Sequence, residues 1–471
     1  PLNCICLPDQ RPIYGGTYFR KNDWTSLLFN LADFYKQKPQ EAEEYAVKLT
    51  EGIQQFESVQ FVDIQPEYKK EGLKDILENW QRYFDRGEGG IGTAPKFPMP
   101  NNWQFLMRYA HLMKDESIAQ QVKLTLHKMA FGGIYDHIGG GFARYSVDER
   151  WHVPHFEKML YDNAQLVSLY AEAAVWQYNP LYAQITDETI SFIKRELTSP
   201  EGGFYSALDA DSEGVEGKFY TFTKNEIEDI LEEDAELFCI YYHATDRGNW
   251  EEENNNVFFR KESDEQLAEK LGLPVDELVA KISQAKNKVL EARSKRIRPG
   301  LDYKILTSWN GLMLKGLCDA YRAFNKQEYL ELALKNAHFL LNNMVTMGHR
   351  LNRIYKENSD GRGEAFLDDY ANVIDAFIAL YEVSFDEQWL HTAIKLTDQA
   401  IAHYYDAGKG IFFYTADDDE QLIARKSEIM DSVTPASNSV MATNLKKLGL
   451  LFDKEDYLDI SAQLLRNVFP Q

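Results

Sequence analysis

Cysteine is scarce in this chain. Among 471 residues only Cys4, Cys6, Cys239 and Cys318 occur, with no C-x-x-C and nothing like the density of a disulfide scaffold. The expectation is a reducing compartment, the cytoplasm. Long apolar runs are missing too: no stretch approaches the roughly 18 residues of a spanning helix, and no basic-then-apolar leader opens the chain. No membrane partner is expected. Positive charge is also short, with 51 Lys+Arg against 74 Asp+Glu and a net charge of −23. That balance repels phosphate backbones and anionic lipid over a wide area, which excludes nucleic acid as an expected partner. An initiator Met is absent as well. The chain opens at Pro1 inside an apolar, strand-like run and stops at Gln471 just after a helical pattern, so it is expected to be a fragment of a longer protein.

What is present is a large stock of aromatic residues, 27 Tyr, 27 Phe and 8 Trp, enough for an extensive core and for ring faces that stack on sugar C–H surfaces. Residues 1–20 alternate like two strands around Pro8-Asp9-Gln10-Arg11-Pro12, which predicts a β-hairpin. Polar helical patterns follow at about 23–37, 40–58 and 66–85, ending in the Gly-rich loop 87–92.

From residue 101 the chain repeats itself. Apolar helices each led by an Asn begin around Asn102, Asn163, Asn310, Asn372 and Asn438, at intervals of roughly 60–65 residues apart from one long gap after Asn163. That gap has room for a missed unit, and Asn225 is a candidate for it, although KNEIEDILEE is very polar. A second helix completes each unit, as in Gln327–Met344, where Tyr329, Ala333, Ala337, Leu340 and Met344 keep the spacing of a buried stripe. Glycine-aromatic loops then follow: GGIYDHIGGGF, GGFYSALDAD, GHRLNRIY and GKGIFFY. Hairpins of this kind bury their faces only by stacking on neighbours. The reading is an all-α chain, an (α/α) toroid with its inner helices starting at one rim and an open solenoid as the alternative.

Chemistry-bearing residues crowd the stretch 132–165, which holds Asp136, His137, His152, His155, Glu157, Tyr161 and Asp162 ahead of, or in the first turn of, one inner helix. Helix starts favour anions, and a loop His titrates near neutrality. The acidic loop SALDADSEGVEG adds Asp209, Asp211, Glu213 and Glu216. Paired carboxylates are the acid and base of glycoside cleavage. The Asp-x-Asp-x-Glu spacing lacks the remaining ligands of a calcium loop, so neither metal nor cofactor is expected. Units 1 to 5 direct Trp103, Asp162, Trp309, Asp369 and Asp431 toward one rim, with Asn310 beside Trp309.

These segments, together with GGTYF, GTAPKFP, LTSWNG, LDDYA and TPASNS, resemble a family of thioredoxin-domain-containing proteins that includes the spermatogenesis-associated thioredoxin-like proteins. The resemblance runs over nearly the whole chain and is most specific from Gly132 to Leu166. It implies a thioredoxin-like domain followed by a six-hairpin (α/α)6 toroid, similar to those of N-acylglucosamine 2-epimerases and unsaturated-glycan hydrolases. In that reading residues 1–22 are the end of the thioredoxin-like domain, 23–92 a helical connecting segment and 93–471 the toroid, which is expected to continue past Gln471. The family's C-x-x-C would precede Pro1. Cys4-x-Cys6 does not replace it, because a strand turns both thiols to one face without a helix N-terminus to activate them.

The expected function is that of a carbohydrate-active-type protein, a sugar epimerase or isomerase or a glycan hydrolase. His155 with Glu157 forms a proton-transfer pair, and Asp211, Asp369 or Asp162 is the opposed acid or base. Trp103, Tyr161, Trp309, Asn310, His152, Asp136 and Asp431 hold a small carbohydrate or another small molecule. His349 is a further histidine that a two-base epimerase could use. The alternative is a non-catalytic module that presents a thioredoxin-linked protein partner.

Overall fold

A computed structural model of the chain describes every residue except Pro1, Glu57, Ser58, Gln65, Glu67, Glu251, Glu252, 358–362, Gln421, Leu422, Pro470 and Gln471. The expectations that fell on Pro1 and Gln471 therefore lie outside the described residues. The N-terminal hairpin is present. Strands β1 (Asn3–Cys6) and β2 (Pro12–Gly16) pair antiparallel, with Ile5 opposite Tyr14. Helices α1 (Lys21–Gln37), α2 (Pro39–Phe56) and α3 (Lys70–Trp80) follow, close to the three polar patterns.

Five helical hairpins come next. They are α4 (Pro100–Met113) with α5 (Glu116–Phe131), α6 (Leu160–Trp176) with α7 (Pro180–Phe192), and then, after an insertion, α12 (Thr307–Phe324) with α13 (Gln327–Asn343), α14 (Leu367–Ser384) with α15 (Glu387–Tyr404), and α16 (Ser437–Phe452) with α17 (Glu455–Val468). The insertion holds α8 (Lys224–Leu231), α9 (Ala235–Tyr242), α10 (Asp264–Leu271) and α11 (Val275–Ser294). The first helix of each hairpin packs on the first helix of the next, in the order α4, α6, α12, α14, α16, around a central lumen. α6 is buried on nearly every side, as an inner helix must be. The chain is an all-α (α/α) toroid.

Local chemistry explains the hairpins. Four of the five inner helices end on a residue in the left-handed conformation, Lys114, Asn325, Phe385 or Asp453, and the next residue opens the outer helix. So short a turn forces the two helices side by side and antiparallel. Asp115 and Asp386 cap the outer helices that follow, by accepting from the backbone N–H of Ile118 and Gln388. Between the fifth hairpin and the first runs the segment after α2. Its Val62 N–H donates to Asn467 on α17 (2.8 Å), and Leu77 on α3 is buried with Trp103 of α4. Among the described residues there is no sixth inner helix, and at this place Val62 contacts the last hairpin and Leu77 the first.

The long gap in the Asn spacing is the insertion. Asn225 opens no inner helix; it lies in the first turn of the short α8, fixed by a Thr223–Glu226 capping box. α8 to α11 have their own core of Phe222, Phe238, Tyr242, Phe258, Leu278 and Ile282. The insertion leaves the toroid after Ala207–Leu208 and returns at Leu301–Asp302. These two segments pair with each other, and Ala207–Leu208 also pairs with Lys158–Met159, in one three-stranded ladder. Its two ends are therefore adjacent, and the ring tolerates it.

Three of the five Asn residues that mark the repeat, Asn163, Asn310 and Asn438, prove to be peptide clamps, while Asn372 donates to the Ser308 hydroxyl instead (2.8 Å). Asn163 accepts from Phe142 N–H (2.7 Å) and donates to Phe142 O (3.0 Å) and Met159 O (2.9 Å). Asn310 does the same to Phe204 (2.8 and 3.0 Å) and to Leu306 O (2.9 Å), and Asn438 to Phe412 (3.0 and 3.0 Å) and Glu428 O (3.0 Å). A carboxamide pairs with a peptide group as another peptide would, and a carboxylate cannot, because it has no donor. Each clamp locks the aromatic residue of a Gly-aromatic loop onto an inner helix. Gly311 serves the same close packing: a Cβ there would lie 2.7 Å from the Asn372 backbone on α14.

Candidate functional site

All five inner helices begin at the same rim, and the loop 132–159 is folded over it by short ladders. Tyr145–Ser146 pairs with Pro154–His155, and Lys96 bridges to Ser146. Lys96 of GTAPKFP is fully buried, and its ammonium group donates to Asp85 (2.7 Å), Gly89 O (2.9 Å) and Glu149 O (2.6 Å). That motif fastens loops together. The ladders leave His155 against the Tyr145 ring, with centroids 4.9 Å apart, and Glu157 facing Arg144 at 3.3 Å.

Asp162, in the first turn of α6, is 2% exposed, and its Oδ2 has no hydrogen-bond partner. Burial pushes its carboxyl well above the usual range, with Glu157 adding to the effect and Arg144 and Tyr161 opposing it. Its affinity for a proton is therefore well above that of an ordinary Asp. Beside it Tyr161 meets Trp309 edge-on at 4.8 Å. Gln165, one turn further along α6, donates to the backbone carbonyl of Val433 (2.9 Å), which carries the loop ahead of α16 across the lumen mouth. Its Oε1 has no partner. The same holds for Asn101 Nδ2 at the start of α4, Ser437 Oγ at the start of α16, Arg144 Nε and His155 Nδ1. Buried polar atoms are nearly always paired, so such a set at one rim needs a reason.

Below the mouth lies a cavity of about 540 Å³ lined by all five inner helices. Gln165 and Asp431 border its upper end. Its walls carry an alternating ladder of charges: Arg108 with Glu172 (2.6 Å), Lys315 with Asp319 (2.7 Å), Arg322 with Asp319 (3.0 Å) and Glu382 (2.8 Å), and Lys447 with Asp375 (3.3 Å). Burial pulls Lys315 down, but Asp319 and Asp375 more than reverse this and hold it charged. Sequence reading missed this ladder, because its charges are spread over five helices that meet only in the ring.

The structure places the expected site residues unevenly. His155, Glu157, Tyr161, Asp162 and Trp309 gather at the rim. Trp103 does not: it is wholly buried between α3 and α4 and its indole N–H donates to Pro98 O (2.9 Å), so it has no face for a ligand. Asn310 is saturated as a clamp. Asp136 is buried behind the rim loop against Lys158 (2.7 Å) and Arg293 (2.9 Å). Asp369 is buried and accepts from the backbone N–H of Ser308 (2.8 Å) and Phe366 (2.9 Å) and from Arg353 (2.8 Å). Burial and Asp368 push its carboxyl up to about 8 against those partners. It ties α14 to α12 and has no free face.

Asp211 is exposed on a hairpin with Val215–Glu216. Asp431 is exposed, accepts from Ala436 N–H (2.8 Å) and borders the lumen. His349 lies in the turn Thr346–Arg350 in the left-handed conformation. His152 points away from the rim into another cavity, with its Nε2 against Asn249 Oδ1 at 3.2 Å. No described helix is long and apolar enough to cross a membrane.

No family model matches the chain. Spermatogenesis-associated protein 20 of Homo sapiens is 32% identical over 509 aligned residues, covering 99% of this chain and 65% of that protein. The chain thus spans a little under two thirds of the mammalian relatives it matches. The uncharacterized protein B0495.5 of Caenorhabditis elegans is 32% identical over 506 residues, covering 99% of this chain and 68% of that one. Among solved structures, cellobiose 2-epimerase of Spirochaeta thermophila aligns with a TM-score of 0.52 at 12% identity, over 84% of this chain and 82% of that one. At that identity the likeness is one of fold.

Proposed function

The chain belongs to the family of spermatogenesis-associated protein 20 and B0495.5, and from the geometry of its rim we propose that it binds a small carbohydrate at the lumen mouth and acts on it by acid–base chemistry. One observation carries the reading. Six buried polar atoms without partners, on Asn101, Arg144, His155, Asp162, Gln165 and Ser437, lie in the first two turns of three inner helices and in the loop ahead of one of them. They mix donors and acceptors, which is what a sugar's hydroxyl groups require, since each of those both donates and accepts. Tyr161 and Trp309 supply ring surface beside them.

Asp162, whose affinity for a proton is raised by burial, is the proton donor, and Glu157, paired with Arg144, is the carboxylate that accepts one. Two carboxyls at one rim, one of them with its proton affinity raised by burial, are what a site needs to perform both halves of the reaction. His155 is the second base available on the same loop. Asp162 thus takes the role of opposed acid, for which Asp211 and Asp369 were the other candidates.

The test is a panel of mono- and disaccharides screened for binding by thermal shift and for turnover in D2O. Exchange of a carbon-bound proton marks an epimerase or isomerase, and new reducing ends mark a hydrolase. Asp162→Asn is expected to lower turnover by roughly a hundredfold or more while remaining folded. A panel that neither binds nor reacts, or an Asp162→Asn protein as active as the parent, sinks the proposal. Binding without turnover supports the non-catalytic module instead.

A further inference from the structure

The loop that delivers His155 to the rim delivers its neighbours to the opposite side. Arg150 and His152 line a cavity of about 580 Å³, closed by the end of α5 at His127, Lys128 and Phe131 and by the insertion at Asn249 and 259–261. Its lining runs against the character of the chain. In a protein of net charge −23, this cavity gathers Lys128, Arg150, Arg260 and Lys261 against a single lining carboxylate, Glu88.

Glu88 is already taken by Lys128 at 2.7 Å. Arg260 is held by Asp264 at 2.6 Å and by the rings of Phe131 and Tyr241, 4.5 and 4.7 Å from its guanidinium. It is 9% exposed, and its Nε has no partner. Arg150 and Lys261 have no carboxylate within ion-pair distance among the described residues. Like charges that line one cavity repel one another, so the arrangement favours an added negative charge.

The remaining walls are aromatic. Phe259 is flanked by the rings of His152 (4.6 Å) and His243 (5.0 Å), and His127 lies 4.0 Å from Phe131. Burial lowers both His127 and His152. Lys128 and Arg260 add to this at His127, and Arg150 and Lys261 at His152, where Asp148 and Asn249 oppose them. Both imidazoles are thus neutral, and the positive charge of the cavity belongs to its lysines and arginines.

We propose that this cleft between the toroid and the insertion is a binding site for a phosphate monoester. The dianion lies among Arg150, Lys261 and the free Nε–H of Arg260, and the organic part lies against Phe259. Guanidinium groups bind phosphate with directed N–H bonds, and an aromatic wall beside them favours an ester over the bare ion. The site is separate from the rim and does not depend on what the rim binds.

Isothermal titration of the whole chain tests it with three probes, inorganic phosphate, a hexose phosphate and a nucleoside monophosphate. At least one ester is expected to bind more tightly than inorganic phosphate, and the two ester arms tell a sugar from a nucleoside as its organic part. Arg150→Glu with Lys261→Glu, both exposed positions, should weaken that ester by about tenfold or more, the worth of one charge-assisted hydrogen bond. Asp162→Asn should leave it unchanged. The proposal is overturned if no ester binds, if inorganic phosphate binds as tightly as the esters, or if charge reversal has no effect while the variant melts like the parent.

Discussion

Asp136 and Asp162 are two buried carboxyls in one loop-and-helix segment, and their surroundings drive them in opposite directions. Asp136 accepts from Lys158, from Arg293 and from the backbone N–H of Ile138 and Gly139 (both 3.0 Å). Despite its burial, those cations hold it well below the usual carboxylate range. Asp162 has an oxygen with no partner, and burial holds it well above. Burial alone therefore predicts nothing about charge; the balance of charges set around each carboxyl decides it. A saturated carboxylate holds the fold together, whereas an unsaturated one is available for chemistry.

The largest expected effect comes from breaking the saturated member. Asp136→Ala leaves Lys158 and Arg293 buried without a counter-charge, and the expected loss is about 3–5 kcal/mol, read by denaturant unfolding. A small loss would mean that the two cations find other partners. Next is Asn310→Ala, which strands the buried N–H and C=O of Phe204 and should cost about 2–4 kcal/mol. Replacement by Asp should cost nearly as much, since Asp lacks the donor, and an Asp variant as stable as the parent would refute the clamp.

The smallest effect has the opposite sign. A carboxyl whose folded pKa is raised binds more protons folded than unfolded, so its contribution to stability falls as pH rises above about 3.9, the ordinary Asp value, toward its folded pKa. Asp162→Asn should thus stabilise the protein at pH 7 and have little effect near pH 3.5. For Asp136 the sign reverses: its stabilisation is full above about 3.9 and is lost as pH falls toward its depressed folded pKa. Melting temperatures of both variants from pH 3.5 to 7.5 should therefore diverge from the parent at neutral pH, one upward and one downward. Parallel curves would mean that the two carboxyls do not differ in charge.

Much of the fold was legible along the chain. The Asn-led helices, their period and their second helices were all readable, because three of the five inner helices use one amide geometry and all of them repeat the apolar stripe of a buried helix. The meaning of the Asn was not readable, since its partner, Phe204 for Asn310, lies across an inserted subdomain. The candidate site divided along the same line. His155, Glu157, Tyr161, Asp162 and Trp309 come together as their clustering suggested, while Trp103 and Asp369 share their helical position and are buried or saturated. The signal that separates them is the number of hydrogen-bond partners, and a sequence does not carry it.

By itself the sequence determined that this is an acidic, helical repeat protein, since charge, period and apolar pattern are properties of the chain. Only the tertiary structure decided which polar groups are satisfied. It set His152 and His155, three residues apart, on opposite sides of one loop, and it brought an insertion from far along the chain to close a cationic cleft beside the first. Hydrogen-bond saturation and cavity charge depend on residues distant in sequence, and they exist only once the ring has assembled.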